Sequence, residues 1–225
     1  MAGEDGKVVF KYVGDTSGVD KANKETESKI KNLGASLKGF IAKLGITALI
    51  AKAGDALLDL GKKGIELASD LQEVQNVVDV TFGGGAEKIN EFAKSAGEAF
   101  GLSELQAKEF TGTMGAMLKS MQVADDQVLE MSMSLAGLAG DIASFYNLDH
   151  ETAWQKIRSG IAGETEPLKQ LGINMSVANL EAHALSQGIT KAYEEMTEAE
   201  KVTLRYNYLL SVTADAQGDF ARTAD

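Results

Sequence analysis

From residue 65 onward, apolar positions recur in steps of three and four, the spacing that lines one face of a helix. Leu67, Leu71, Val74 and Val78 form a first stripe, closed by "FGGGA" at 82–86, and Ile89, Phe92, Ala96 and Ala99 form the next. Ser103 and Gln106 are spaced as a capping box, in which each side chain satisfies the other's orphan N–H. The helix they open carries Ala107, Phe110, Met114, Met117 and Met121, a methionine-rich stripe that reads as adaptable core. Another helix follows with Asp125 or Asp126 as its cap and Val128, Met131, Leu135, Leu138, Ile142 and Phe145 in register. Beside that stripe lie Ala136, Gly137, Ala139, Gly140 and Ala143, small residues that let a second helix approach closely: a packing seam.

Asp149 is placed to cap a short helix with Ala153, Trp154, Ile157 and Ile161 facing inward. Ser176 caps another, with Val177, Leu180 and Ala184 in register and Gly188 at its C-terminus. Thr197 and Glu200 form a second capping box. Its stripe is Ala199, Val202, Tyr206, Leu209, Thr213, Ala216 and Phe220, read as one helix still running at Asp225. That reading predicts a chain that is the N-terminal piece of something longer.

The first 64 residues differ. "KVVFKYV" (7–13) has the β-branched and aromatic content of a short strand. Residues 19–33 read as a polar helix with apolar positions only at Val19, Ile30 and Leu33. Residues 35–64 read as a Gly- and Ala-rich apolar helix through Leu37, Phe40, Ile41, Leu44, Ala48 and Ala51, interrupted by Lys43, Lys52, Asp55 and Asp59. A helix apolar around most of its circumference packs inside a bundle or self-associates; insertion in a membrane is the sharper alternative. The expected organisation is an arm (1–34), an apolar helix (35–64) and a helical domain (65–225). The expected class is all-α, an antiparallel multi-helix bundle with a short strand-like N-terminal segment.

Composition narrows the function classes. A single proline among 225 residues favours uninterrupted helices. A net charge of −11 argues against a nucleic-acid surface, which needs clustered Lys and Arg. The absence of cysteine excludes disulfides, thiolate metal sites and cysteine catalysis. The N-terminus lacks the basic start and apolar core of a signal peptide. The longest uncharged stretch, Gln170–Leu180, is well short of the roughly 18–20 apolar residues of a membrane span, so a soluble chain is expected.

Catalytic patterns are hard to find. "GDALLDLGKKG" (54–64) has the wrong glycine spacing for a phosphate loop and lies within a helical pattern; "FGGGAEK" has no following Gly-Lys-Ser/Thr. The two histidines, His150 and His183, lie on different helices with no metal-ligand spacing. His150 is expected to be solvent-exposed, and His183 to sit at the edge of an apolar face. No Gly-x-Ser-x-Gly elbow nominates a nucleophile. Glu164 and Glu166 flank Pro167, where helix punctuation explains them: acids and proline suit a helix start, and Gly163 and Gly172 suit helix ends. No catalytic, cofactor-binding or metal-ligating residue is nominated, and no enzyme activity is expected.

Four segments, "DIASFYN" (141–147), "AWQKIRSGIAGETEPLKQLGI" (153–173), "MTEAEKVTLRYNYLL" (196–210) and "GDFARTAD" (218–225), resemble in order and spacing the N-terminal core region of tail tape measure proteins. These belong to long-tailed bacteriophages, prophages and phage-tail-like bacteriocins. The resemblance covers roughly residues 65–225, and "DTSG" near residue 15 followed by a polar helix extends it. It implies a structural role: a virion protein that threads the tail tube, sets tail length during assembly and leaves ahead of the DNA at infection, with several members assisting passage through the cell envelope. The implied partners are tail assembly chaperones, tube subunits, distal tail or baseplate proteins and, by analogy, two further copies of the chain in a trimer. Contact of residues 35–64 with a host membrane is a further implication. The family offers no catalytic residues to carry over here. Because 65–225 is rich in caps and glycine stops, it is expected to be a compact domain for docking, chaperone contact or delivery, with length measured by chain further along. The rival readings are a membrane-active effector, a helical adaptor with no virion role and an enzyme built on an unrecognised polar pocket.

Overall fold

In the computed structural model, residues 69–224 are described, and among them the regular structure is helical with no strand. The strand-like segment at 7–13, the polar helix at 19–33 and the apolar helix at 35–64 lie outside the described residues. The described helices are α1 (69–82), α2 (Ala86–Phe100), α3 (Glu104–Ser120), α4 (Asp125–Tyr146), α5 (His150–Ala162), α6 (Glu166–Lys169), α7 (Val177–Ser186), α8 (Glu198–Val212) and α9 (Asp219–Thr223). Single 3-10 turns stand at Gly83–Gly85 and Tyr193–Glu195.

Local chemistry sets most of these boundaries. Ser103 Oγ accepts the N–H of Gln106 at 3.2 Å while Gln106 Oε1 accepts the N–H of Ser103 at 3.0 Å, completing the capping box of α3. Thr197 and Glu200 repeat the exchange at 3.2 and 2.7 Å to open α8. Asp149 takes the N–H of Thr152 at 2.8 Å to open α5, and Ser176 caps α7 through Asn179. Each such cap contributes about 1 kcal/mol.

Two boundaries differ from the sequence reading. The N-cap of α4 is Ala124, whose backbone is extended and which has no capping side chain. Asp125 and Asp126 already have their places inside the first turn, where their charge favours the positive helix end but their side chains cannot cap. The last stripe is also not one helix. Helix α8 ends at Val212, where Thr213 turns its hydroxyl back onto Leu209 O at 2.7 Å, and the chain bends through 213–218 before α9. The apolar spacing survives the bend because Thr213 and Ala216 are both buried in it. Two further apolar positions, Phe145 and Val177, are exposed at helix ends, whereas Leu180 and Ala184 are buried as expected.

Short links fold successive helices back on one another, and α4 is the central element, packed against α2, α3, α5 and α9. Trp154 of α5 lies flat on Phe110 of α3, ring centroids 4.7 Å apart. The small-residue seam of α4 receives the end of α2. A Cβ on Gly140 would stand 2.3 Å from the carbonyl oxygen of Phe100, and the Phe100 ring lies against Gly137. Helix α4 is long and apolar enough to cross a membrane (mean hydropathy 1.2), but 67% of that apolar window is buried within the domain. A smaller cluster of Val78, Ala86 and Ile89 joins α1 and α2, with Phe82, Leu129 and Met133 packed on it.

Candidate functional site

The four quoted segments, separated in sequence by up to 79 residues at their contacts, meet in space. Three of them meet at the turn from Gly163 to Met175, and the last is bound to the first at Asp141 and Ser144. Gly163 ends α5 in the left-handed region (φ 104°), which only glycine adopts without strain, and Glu164 N–H returns to Ser159 O at 2.8 Å. Helix α6 follows with Pro167 in its first turn, and Leu168 is fully buried against Gly160, where a Cβ would collide with its side chain. Leu171, Ile173 and Met175 then anchor the rest of the turn in the core.

Four polar side chains hold the carbonyls of the turn and of the α5 end that leads into it. Arg205, in α8, donates from Nη1 to Ile161 O at 3.1 Å and from Nε to Tyr193 Oη at 2.9 Å, with Nη2 also on Tyr193 Oη. The guanidinium is only 8% exposed and lies against Gly163. Its acceptors are neutral oxygens, so the negative end of the α5 dipole serves where a carboxylate would be usual. Tyr208, one turn further along α8, donates to Asn174 O at 2.8 Å. Asn179 Nδ2 donates to the same carbonyl at 2.8 Å, and His183 stands edge-on to the Tyr208 ring. Tyr146, at the end of α4, donates to Leu171 O at 2.9 Å.

The first and last segments join separately. Asp141 is buried on α4, yet its carboxylate accepts the N–H of Gly218 at 2.8 Å and of Phe220 at 3.3 Å. Burial raises its pKa above the ordinary aspartate value, outweighing those two donors and the nearby Arg222. Ser144 donates to Asp219 Oδ2 at 2.7 Å, and the Phe220 ring packs on Gly101.

Residues weighed for chemistry are placed elsewhere. Glu164 and Glu166 are exposed on the outer edge of the turn, where Glu166 pairs with Lys169. His150 is half-buried in the first turn of α5 rather than exposed, while its neighbours Asp149 and Glu151 are exposed. His183 is a boundary residue, as expected. It lines an open cleft of about 490 Å³ between α7, α8 and the start of α4, floored by Met196 and Leu204 and rimmed by Gln127, Lys191 and Glu200. Glu200 is held down to about 2, first by the hydrogen bond from Lys191 and then by the N–H of Thr197. Among the described residues no three His, Asp or Glu side chains gather as a metal site.

What these residues define is a class: an all-helical domain whose buried polar groups join helices to one another. No protein-family model matches the chain, and no curated protein or solved structure matches it either. The contacts that hold the turn were not foreseen from the sequence, although Arg205 and Tyr208, three residues apart on one helix face, were visible as polar residues beside a stripe.

Proposed function

We propose that the chain is the N-terminal part of a tail tape measure protein, and that residues 70–225 are its folded docking domain rather than its ruler. The observation that carries this reading is the convergence of the four segments that resemble the family. "DIASFYN" reaches the turn through Tyr146 and the last segment through Asp141 and Ser144, while "MTEAEKVTLRYNYLL" reaches the turn through Arg205 and Tyr208. The four segments then have a physical reason to stand together: three build the joint at the turn, and the last is bound to the first through Asp141 and Ser144.

The geometry supports this division of labour. A ruler gains about 1.5 Å per residue from continuous helix. A domain whose longest described helix, α4, is folded against four others cannot supply that length. The exposed edge of the turn, with Glu164, Glu166, Lys169 and Gln170, is the surface this reading assigns to a tube subunit or an assembly chaperone. The membrane-active alternative draws nothing from the described residues, since the one helix of membrane-spanning length has most of its apolar window in the core.

The test is composition. Tailed particles induced from the source strain and purified by density should contain peptides from this chain, at a few copies per particle by quantitative mass spectrometry. Particles with full tails and no such peptides would overturn the proposal.

A further inference from the structure

We propose that residues 214–223 form a latch, pivoting where α8 ends at Thr213 and caught by Asp141, that opens as a unit while α2 and α4 beneath it stay folded. Four observations lead there. Helix α9 has five residues, none of them fully buried, too few to hold helical form without outside support. Its main packing partners are α4 and α2, distant in sequence. The segment is tied to itself: Arg222 donates to Asp215 O at 3.0 Å and to Gln217 O at 2.8 Å, so turn and helix move as one body.

The attachment is largely polar and concentrated. Asp141 accepts two backbone N–H groups of the latch, Ser144 donates to Asp219 and meets Thr223 Oγ1 at 3.1 Å, and the apolar anchors are buried Ala216 near the pivot and half-buried Phe220 against Gly101. A segment held by a few polar contacts opens at lower free energy than the core around it. Opening bares Asp141, Ser144 and the Phe100–Gly101 corner beside the already exposed Phe145 and Tyr146. This inference stands whether or not the chain belongs to a phage tail.

Native-state hydrogen exchange on the whole chain in low guanidinium tests it. The amides of 215–223 should exchange through an opening insensitive to denaturant, while those of α4 exchange faster as denaturant rises. Asp141→Ala should speed exchange in 215–223 by about tenfold or more, the loss of two buried hydrogen bonds, with α4 unchanged. Because the chain has no cysteine, Ser144→Cys with Thr223→Cys creates a unique pair. Its oxidation should slow 215–223 and its reduction restore the rate. The latch is wrong if 215–223 shares the denaturant dependence of α4 in the wild type, or if the oxidised pair leaves its exchange unchanged. Those two measurements decide the matter without requiring Asp141→Ala to fold.

Discussion

Arg205→Met isolates the joint between α8 and the turn. The substitution keeps an unbranched, apolar side chain of similar reach and removes three donor contacts to Ile161 O and Tyr193 Oη. Hydrogen bonds to a charged group contribute about 1.5–3 kcal/mol each, and stranding a buried acceptor costs about 1–3 kcal/mol. Relief of the desolvated guanidinium offsets part of that loss. The net expectation is destabilisation of about 2–4 kcal/mol, a fall in Tm of several degrees for a domain of this size. Guanidinium denaturation followed by Trp154 fluorescence is the assay, because Trp154 is the sole tryptophan and is buried in the domain. Tyr193→Phe and the double variant complete a cycle, with an expected coupling of about 1–2 kcal/mol. Arg205→Lys, reaching one acceptor in place of two, should fall between wild type and Arg205→Met. A loss below about 0.5 kcal/mol for Arg205→Met, or strict additivity with Tyr193→Phe, would refute the claim that this arginine holds the turn.

Other expectations are independent of that one. Trp154→Ala empties the space stacked on Phe110 and should cost about 3–5 kcal/mol in equilibrium unfolding followed by circular dichroism; an unchanged Tm would show that the α5 stripe is not core. Gly140→Ala drives a methyl into the Phe100 carbonyl and should destabilise by about 1–3 kcal/mol, visible as a lower denaturation midpoint. Glu200 should titrate near 2 in carbon-detected NMR. Since its folded pKa lies below the ordinary 4.5, the stability it contributes is complete above that value and is lost as pH falls toward 2; Lys191→Ala should move its midpoint upward. Glu164→Gln and Glu166→Gln should change stability by less than about 0.5 kcal/mol, since both side chains are solvent-exposed.

How much of this was legible in the sequence depended on the range of the interaction. Ser103, Asp149, Ser176 and Thr197 cap the helices they were expected to cap, because a cap is written within three residues. The inward stripe of Ala153, Trp154, Ile157 and Ile161 is buried, and the seam at Gly137 and Gly140 does receive another helix. Spacing failed where burial continued without helical hydrogen bonding, as at Thr213–Ala216, and where a backbone transition fell one residue early, at Ala124. The joint itself was invisible, since periodicity says which face turns inward and nothing about the partner 44 residues away that Arg205 meets at Ile161. The charged turn at 158–175 was legible as helix punctuation, but not that its carbonyls are bound from within by Tyr146, Arg205 and Tyr208.

The central claim is that residues 70–225 are the docking domain of a tail component. Deleting them in frame from the source genome and viewing the induced particles by negative-stain electron microscopy tests it directly. The account predicts heads without tails, or tails of irregular length, with wild-type lengths restored by the intact gene in trans. Particles with tails of normal number and uniform length would contradict it.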